Sequence, residues 1–254
     1  MSKIDLYRGE CLEVMDELIA KGVVVDAIIV DLPYGTTQNN WDSVIPFDAM
    51  WGRIKKLRKD NAAIIMFSDG KFTPYLQMSN IKEFKYDLVW DKKSTTGFLN
   101  AKKMPLRRHE KINIFYKKPP VYNPQMREGK ERSKGGKKFA NNGCYGDFKE
   151  MPKEKYNMYH PTSIKTFSNA NQKAKQHPTQ KPVALMEYLI KTYTNEGELV
   201  LDFTMGSGTT GVACKNLGRD FIGIEMDDKY FETAKKRIEN FKVETSIFAF
   251  MDEQ

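Results

Sequence analysis

LVLDFTMGSGTTG, residues 199–211, is the stretch on which the fold turns. An apolar run closes on Asp202, and Gly206, Gly208 and Gly211 then space out as G-x-G-x-x-G, with Ser207, Thr209 and Thr210 between them. A short apolar run followed by glycines reads as a buried strand, a tight turn and the opening of a helix. The next apolar run, DFIGIEM (220–226), reads as a second strand and carries Glu225, 19 residues after Gly206. That spacing satisfies the fingerprint in which a helix N-terminus receives an adenosine-containing cofactor and an acid grips its ribose hydroxyls. The motif alone leaves the identity of the cofactor open.

Working outward, the same strand signal recurs. Residues 23–30 are almost continuously apolar and β-branched, and NAAIIMFSDG (61–70), YDLVW (86–90) and KINIFYK (111–117) are further strand candidates. Between them, Leu12, Met15, Leu18 and Ile19 share a helical face; so do Leu185, Tyr188 and Leu189, and Phe231, Ala234, Ile238 and Phe241. Pro182 suits the start of the second of these helices, because the first turn has no use for the missing N–H. Strands alternating with helices predict a mostly parallel sheet covered on both faces. Ligands of such sheets bind beyond the carboxyl ends of the strands. Asp31, Asp202 and Glu225 fall at or near such ends.

The bulk properties narrow the classes. No apolar run of the 254 residues approaches the roughly 20 needed to span a bilayer, and the N-terminus has no apolar signal region. Cys11, Cys144 and Cys214 are widely spaced, as are His109, His160 and His177, so neither a disulfide framework nor a zinc site is expected. A reducing cytoplasm is the default. The net charge is +8, and residues 119–176 hold 12 Lys and Arg against 5 Asp and Glu. Nearly all of the excess therefore sits in one segment, which is rich in Gly, Asn, Lys, Pro and Tyr and poor in periodicity. Two readings stay open on charge alone: a polyanionic partner at one face, or a solvated loop. The organisation expected is a core of 1–118 and 177–254 interrupted by a basic insertion at 119–176.

Two features weigh against a nicotinamide dinucleotide. Only about 30 residues follow Glu225, too few for a second mononucleotide-binding half. HPTQKP (177–182) stands just before the glycine unit, and its Lys181 could pair with a carboxylate near that loop. S-adenosylmethionine has a carboxylate, a ribose and an adenine but no phosphate, and suits this inventory better.

At this point the chain resembles a DNA amino-methyltransferase of the β class. DLPY (31–34) resembles the family's catalytic D-P-P-Y. HPTQKPVALMEYLI (177–190) is similar to the cofactor-carboxylate motif, DFTMGSGTTG to D-P-F-x-G-S-G-T-T-G, and FIGIEMDDKYFETAKKRI to the ribose-binding strand and its helix. LYRGECLEVMDEL (6–18) resembles the segment that contacts the cofactor adenine, and RHEKINIFYK (108–117) a late strand. The tetrapeptide comes first and the glycine loop last, which is the β-class permutation. Three departures stand out: Leu32 replaces the first proline of D-P-P-Y, Phe203 and Thr204 stand where the family has Pro and Phe, and Glu10 holds a position usually given to Asp.

The resemblance implies a Rossmann-like, circularly permuted methyltransferase fold with a seven-stranded sheet whose last strand is antiparallel, plus an inserted target-recognition region. It implies that Asp31, Leu32, Pro33 and Tyr34 are catalytic. It also implies that Glu10, Cys11, Asp31, Lys181, Asp202, Phe203, Gly206, Ser207, Gly208, Thr209, Thr210 and Glu225 bind S-adenosylmethionine. An exocyclic amino group is a poor nucleophile because its lone pair is delocalised into the ring. An ionised Asp31 accepts one N–H and, by analogy, the Leu32 carbonyl the other, so only the main chain of residue 32 is needed. Pro33 keeps Leu32 out of helical geometry. Tyr34 offers a flat face to a base flipped out of the duplex.

The function expected is methylation of adenine N6 in double-stranded DNA. Cytosine N4 is the nearest alternative, since Ser often replaces Asp there. An RNA methyltransferase, an NAD-dependent oxidoreductase and a non-catalytic DNA-binding module are the others. Methylation at cytosine C5 needs a Pro-Cys nucleophile, and no cysteine here follows a proline. Tyr122, Tyr145, Tyr156 and Tyr159, interleaved with the basic charge, fit a nucleic-acid surface or a small satellite core. A homodimer, a cognate restriction endonuclease and a bacterial or phage origin are carried by analogy with the family.

Overall fold

A computed structural model of the chain describes residues 2–35, 43–134, 154–169 and 180–241. Cys144, Tyr145 and His177 lie outside the described residues. The chain divides into two compact units, one formed by residues 1–123 and 163–254, the other by 124–162.

In the larger unit the first half runs β1 (Ile4–Arg8), α1 (Cys11–Ala20), β2 (Val25–Asp31), α2 (Phe47–Leu57), β3 (Arg58–Ser68), α3 (Phe72–Ser79), β4 (Phe84–Thr96) and β5 (Arg107–Phe115). The smaller unit holds β6 (Arg127–Lys134) and β7 (Glu154–Tyr159), an antiparallel pair. The larger unit resumes with β8 (Ile164–Thr166), α4 (Val183–Tyr193), β9 (Leu199–Asp202), α5 (Thr209–Asn216), β10 (Asp220–Glu225) and α6 (Asp228–Asn240).

The large sheet has the order β1-β10-β9-β2-β3-β5-β4-β8. All neighbours from β1 to β3 are parallel, and β5 runs antiparallel between β3 and β4. The sheet is thus the expected mostly parallel one with a single reversed strand. It also gains an eighth strand, because β8 pairs in parallel with β4 through Val89↔Ile164 and Asp91↔Thr166. Residues 163–169 were expected inside the basic insertion; their place is the edge of the main sheet. β1 was not foreseen at all. Its five residues, IDLYR, lie against β10 and carry too little apolar sequence to announce a strand.

The continuous apolar runs have a direct cause. Successive residues of a strand face opposite sides, and here both sides are covered. Ala27 and Ile29 of β2, with Ala63, Ile65 and Phe67 of β3, pack against Leu185 and Leu189 of α4, Val212 of α5 and Ile238 of α6. Ile28 and Val30, with Ile64 and Met66, pack on the other side against Met15 and Leu18 of α1, Trp51 and Ile54 of α2 and Leu76 of α3. Alternation that would mark a half-exposed strand is absent because neither face of 27–30 in β2 or 62–68 in β3 meets water.

The order fixes where a ligand belongs. From β2 the chain proceeds through α2 to β3; from β9, beside β2, it proceeds through α5 to β10 in the opposite direction. The helices depart to opposite faces and leave a crevice beyond the carboxyl ends of β2 and β9, the topological switch point of an open α/β sheet.

Candidate active site

Asp31 ends β2 and Asp202 ends β9, and both residues line that crevice. The glycines after Asp202 build the turn. Gly206 and Gly208 both take left-handed backbone, φ 52° and 75°. Gly208 caps α5, and a Cβ on it would meet the Ala234 Cβ at 2.9 Å. A Cβ on Gly211 would lie 2.4 Å from Ile238 Cδ1 and 2.7 Å from Phe221 Cε1. The last two glycines thus let α5 sit tightly on α6 and β10, while Gly206 has open space beside it.

A cavity of ≈ 590 Å³ fills the crevice. Glu10, Cys11, Asp31, Leu32, Pro33, Tyr34, Lys181, Asp202, Phe203, Gly206, Ser207, Thr209, Thr210 and Glu225 all line it. Residues separated by nearly the length of the chain therefore meet in one wall. Of the site residues named from the sequence, Gly208 is absent from that wall; its place is the helix contact just described. His109 and His160 are exposed and line no part of the cavity.

The walls are held by their own hydrogen bonds. Asp202 accepts from the Thr204 N–H at 3.1 Å and from the Thr210 hydroxyl at 2.5 Å. Burial pushes its carboxyl up to about 7. Glu225 accepts the Gly206 N–H at 2.9 Å and the Asp227 N–H at 2.8 Å, one on each oxygen. Each oxygen keeps a second lone pair. Glu10 is the N-cap of α1, taking the Leu12 and Glu13 N–H groups at 2.8 and 3.0 Å on one oxygen and the Cys11 thiol at 3.1 Å on the other. Burial, with that carboxylate beside it, pushes the Cys11 thiol up, so it stays protonated.

The other half of the cavity is a chain of charges. The Tyr34 hydroxyl donates to Asp31 Oδ1 at 2.7 Å, and the Lys181 ammonium donates to Asp31 Oδ2. Lys181 also lies 3.4 Å from Glu110 Oε2, and Lys92 donates to Glu110 Oε1 at 3.1 Å. Two carboxylates and two ammoniums thus alternate. Burial raises the Asp31 carboxyl above its ordinary value, with Lys181 pulling the other way. Burial alone would lower Lys181, but Asp31 and Glu110 together hold it above the usual lysine value. Glu110 is also pushed up by burial, yet the two lysines outweigh that and keep it below its ordinary value. Phe67 and Trp90 wall in Lys181, with ring centroids 5.0 and 5.9 Å from its nitrogen.

Sequence reasoning missed Glu110, Lys92 and Thr204. Glu110 and Lys92 sit on β5 and β4, whose exposed outer residues are charged too, so nothing in the sequence set these two apart. Thr204 was noted only as a departure. Its hydroxyl donates to the main-chain carbonyl of Asp31 at 3.0 Å, tying the glycine loop to the DLPY turn. The Tyr34 ring stacks on Phe72 with centroids 5.1 Å apart, so one face is covered.

Counted over the described lining, the cavity holds five acids (Glu10, Asp31, Glu110, Asp202, Glu225) against two lysines. A pyrophosphate would meet that excess of like charge. A ligand carrying a cationic centre, hydroxyls and a single carboxylate fits it: the acids suit the cation and the hydroxyls, and Lys181 suits the carboxylate.

In the smaller unit, the Tyr156 and Tyr159 rings lie 5.3 Å apart, and the Arg127 and Arg132 guanidinium groups stand 5.7 and 5.9 Å from the Tyr159 ring. Tyr122 belongs to the larger unit, against Tyr193 at 6.2 Å.

Comparison with known proteins gives a consistent picture. A family model for N6 and N4 enzymes, described as DNA methylase, matches residues 25–236. The chain is 30% identical over 235 residues to the type II methyltransferase M.HpaI of Haemophilus parainfluenzae, across 85% of this chain and 68% of the relative. It is 28% identical over 250 residues to the DNA adenine methyltransferase YhdJ of Escherichia coli (strain K12), across 92% and 82%. Among solved structures it is similar to M1.HpyAVI in complex with SAM, with a TM-score of 0.66 and 28% identity over 94% of this chain and all of that one.

Proposed function

The chain belongs to the DNA methylase family of amino-methyltransferases, and from that premise we propose that it methylates the N6 amino group of an adenine flipped out of duplex DNA, with S-adenosylmethionine as donor. The observation that carries this reading is the meeting of Asp31 with Asp202, Glu225 and Lys181 in one cavity at the switch point.

The cofactor, when bound, supplies a methyl group activated on a sulfonium. Glu225 has unused lone pairs that would accept from ribose hydroxyls, the Lys181 ammonium would donate to the carboxylate, and Phe203 and Ile224 give apolar wall. On the target side, Asp31 accepts one amino N–H. Its own carbonyl is engaged by Thr204, which leaves the Leu32 carbonyl as the next main-chain acceptor. The Leu32 side chain is buried in the core, so the departure from D-P-P-Y serves packing while the carbonyl does the chemistry. Gripping both N–H bonds localises the nitrogen lone pair toward the methyl group. Tyr34, stacked from behind by Phe72, presents its other face to the base. Catalysis is then mainly positioning and electrostatics. The proton leaves the nitrogen to Asp31 or, through it, to water.

In this reading the smaller unit, residues 124–162, serves target recognition, with Lys and Arg on phosphates and Asn or Gln at base edges. A cytoplasmic setting, a homodimer and a cognate restriction endonuclease complete it by analogy. No helix among the described residues is long and apolar enough to cross a membrane.

Cytosine N4 is the competing target, since the same grip serves any amino group. An aspartate at position 31 favours adenine. Mass analysis of nucleosides from DNA methylated by the purified protein separates the two: N6-methyladenine is expected, and N4-methylcytosine as the product would overturn the adenine assignment. Single-base methylation mapping of DNA from cells expressing the chain yields the recognition sequence.

A further inference from the structure

The two most exposed large apolar side chains among the described residues are neighbours, Leu99 at 90% and Phe98 at 78%. They occupy a single 3₁₀ turn, Phe98–Asn100, in the connection between β4 and β5. Isolated exposed apolar residues are ordinary, but a phenylalanine and a leucine side by side at a tip are a poor arrangement for water alone. The tip is shaped rather than slack. Gly97 enters it with left-handed backbone, φ 85°, and the N–H groups of Asn100, Ala101 and Lys103 close successive turns on the carbonyls of Gly97, Phe98 and Asn100 at 2.8–3.0 Å.

Its position gives it a use. β4 runs in the same direction as β2 and β3, so the connection after β4 emerges at the same carboxyl edge as Asp31. Trp90, Lys92 and Thr96 of β4 line the active-site cavity, and Thr96 is the last residue of that strand. The Phe98–Leu99 tip therefore begins two residues beyond the cavity wall. Lys102 and Lys103 follow, exposed and with no ion-pair partner among the described residues, whereas Arg107 and Arg108 are engaged by Asp69 and Asp91.

We propose that the Phe98–Leu99 tip is the wedge that enters the base stack of duplex DNA where the target nucleotide leaves it, with Lys102 and Lys103 on the flanking phosphates. The inference rests on the base-flipping reading above. Extruding a nucleotide opens a gap in an apolar stack, and an apolar side chain that fills the gap stabilises the open duplex. Charge complementarity chooses this occupant: basic side chains beside an apolar tip match a polyanion with an apolar interior, while an apolar contact between two copies of the chain would set like charges together.

The test compares wild type with the Phe98→Ala/Leu99→Ala double variant on two duplexes carrying the mapped recognition site. In one the target base is paired; in the other it faces an abasic position, so little remains to be pried apart. The variant is expected to lose roughly tenfold or more in kcat/KM on the paired duplex and little on the abasic one. Its S-adenosylhomocysteine affinity and its oligomeric state should match wild type. An equal loss on both duplexes, no loss on either, or a changed oligomeric state would overturn the wedge while wild-type activity upheld the site. A wild type inert on both duplexes would overturn the methyltransferase reading and the wedge with it.

Discussion

Lys181 donates its ammonium to the carboxylate of Asp31 across 150 residues of chain, and the same ammonium lies 3.4 Å from Glu110. The residue expected to hold the cofactor also sets the charge state of the residue expected to hold the target. Asp31 must be ionised to accept an amino N–H, and burial pushes its carboxyl up.

Methyl transfer should therefore fall as pH drops through the raised Asp31 value. Glu110 adds to that rise by repulsion, while Lys181 opposes it. Glu110→Gln removes the repulsion and leaves Lys181 to Asp31 alone. The acid limb of the kcat profile at saturating cofactor should move to lower pH. A limb that stays in place, or moves up, would contradict the linkage.

Asp202 yields a stability prediction. Its folded carboxyl lies at about 7 against an ordinary 3.8. Between those values the folded state holds a proton that the unfolded chain has released, so stability falls as pH rises from about 4 to about 7 and levels off above. Asp31 and Glu225 are raised by burial as well and act in the same direction, so the informative quantity is a difference. Asp202→Asn keeps an acceptor for the Thr204 N–H and meets Thr210 once that hydroxyl turns. Relative to wild type, the variant should gain on the order of a few kcal/mol between pH 4.5 and 7.5, read by urea unfolding. A parallel pH dependence of the two proteins would refute the assignment.

Gly211 separates packing from cofactor contact within one motif. A methyl there would need Ile238 and Phe221 to move, from 2.4 and 2.7 Å. Gly211→Ala should cost about 1–3 kcal/mol of overpacking, lowering Tm by a few degrees for each kcal/mol at this size. Gly206→Ala has open space and only its left-handed φ of 52° to accommodate, so it should cost less. Thermal unfolding without cofactor ranks the two, and the opposite order would mean that α5 is not seated on α6 and β10 by these glycines.

The sequence made the sheet legible where both faces of a strand are covered. The middle stretches of β2, β3, β9 and β10 (27–30, 62–67, 199–201 and 221–224) are apolar, and Asp31, Asp202 and Glu225 end three of these strands. The edges were harder to read. β1 is five residues with polar neighbours, and β8 is three residues, IKT, inside a basic stretch; each is a strand because a neighbouring edge offers it hydrogen bonds. In the cavity, a short motif could name Asp31, Lys181 and Glu225, because local spacing carries the signal. Glu110 and Lys92 form part of the same charge chain only through the β4–β5 register, which places Trp90 opposite Glu110, and register is not written in spacing. Thr204 could be counted as a departure from a pattern, but its bond to the Asp31 carbonyl follows from the β2–β9 pairing alone.

In the proposed reaction the position-31 carboxylate activates an amino group that the cofactor then methylates. The most direct measurement is tritium transfer from labelled S-adenosylmethionine to duplex DNA by wild type and Asp31→Ala, with S-adenosylhomocysteine binding followed by thermal shift in both. Asp31→Ala should still bind the homocysteine analogue while transfer drops by roughly 100-fold or more; transfer within a few-fold of wild type would contradict the role given to Asp31.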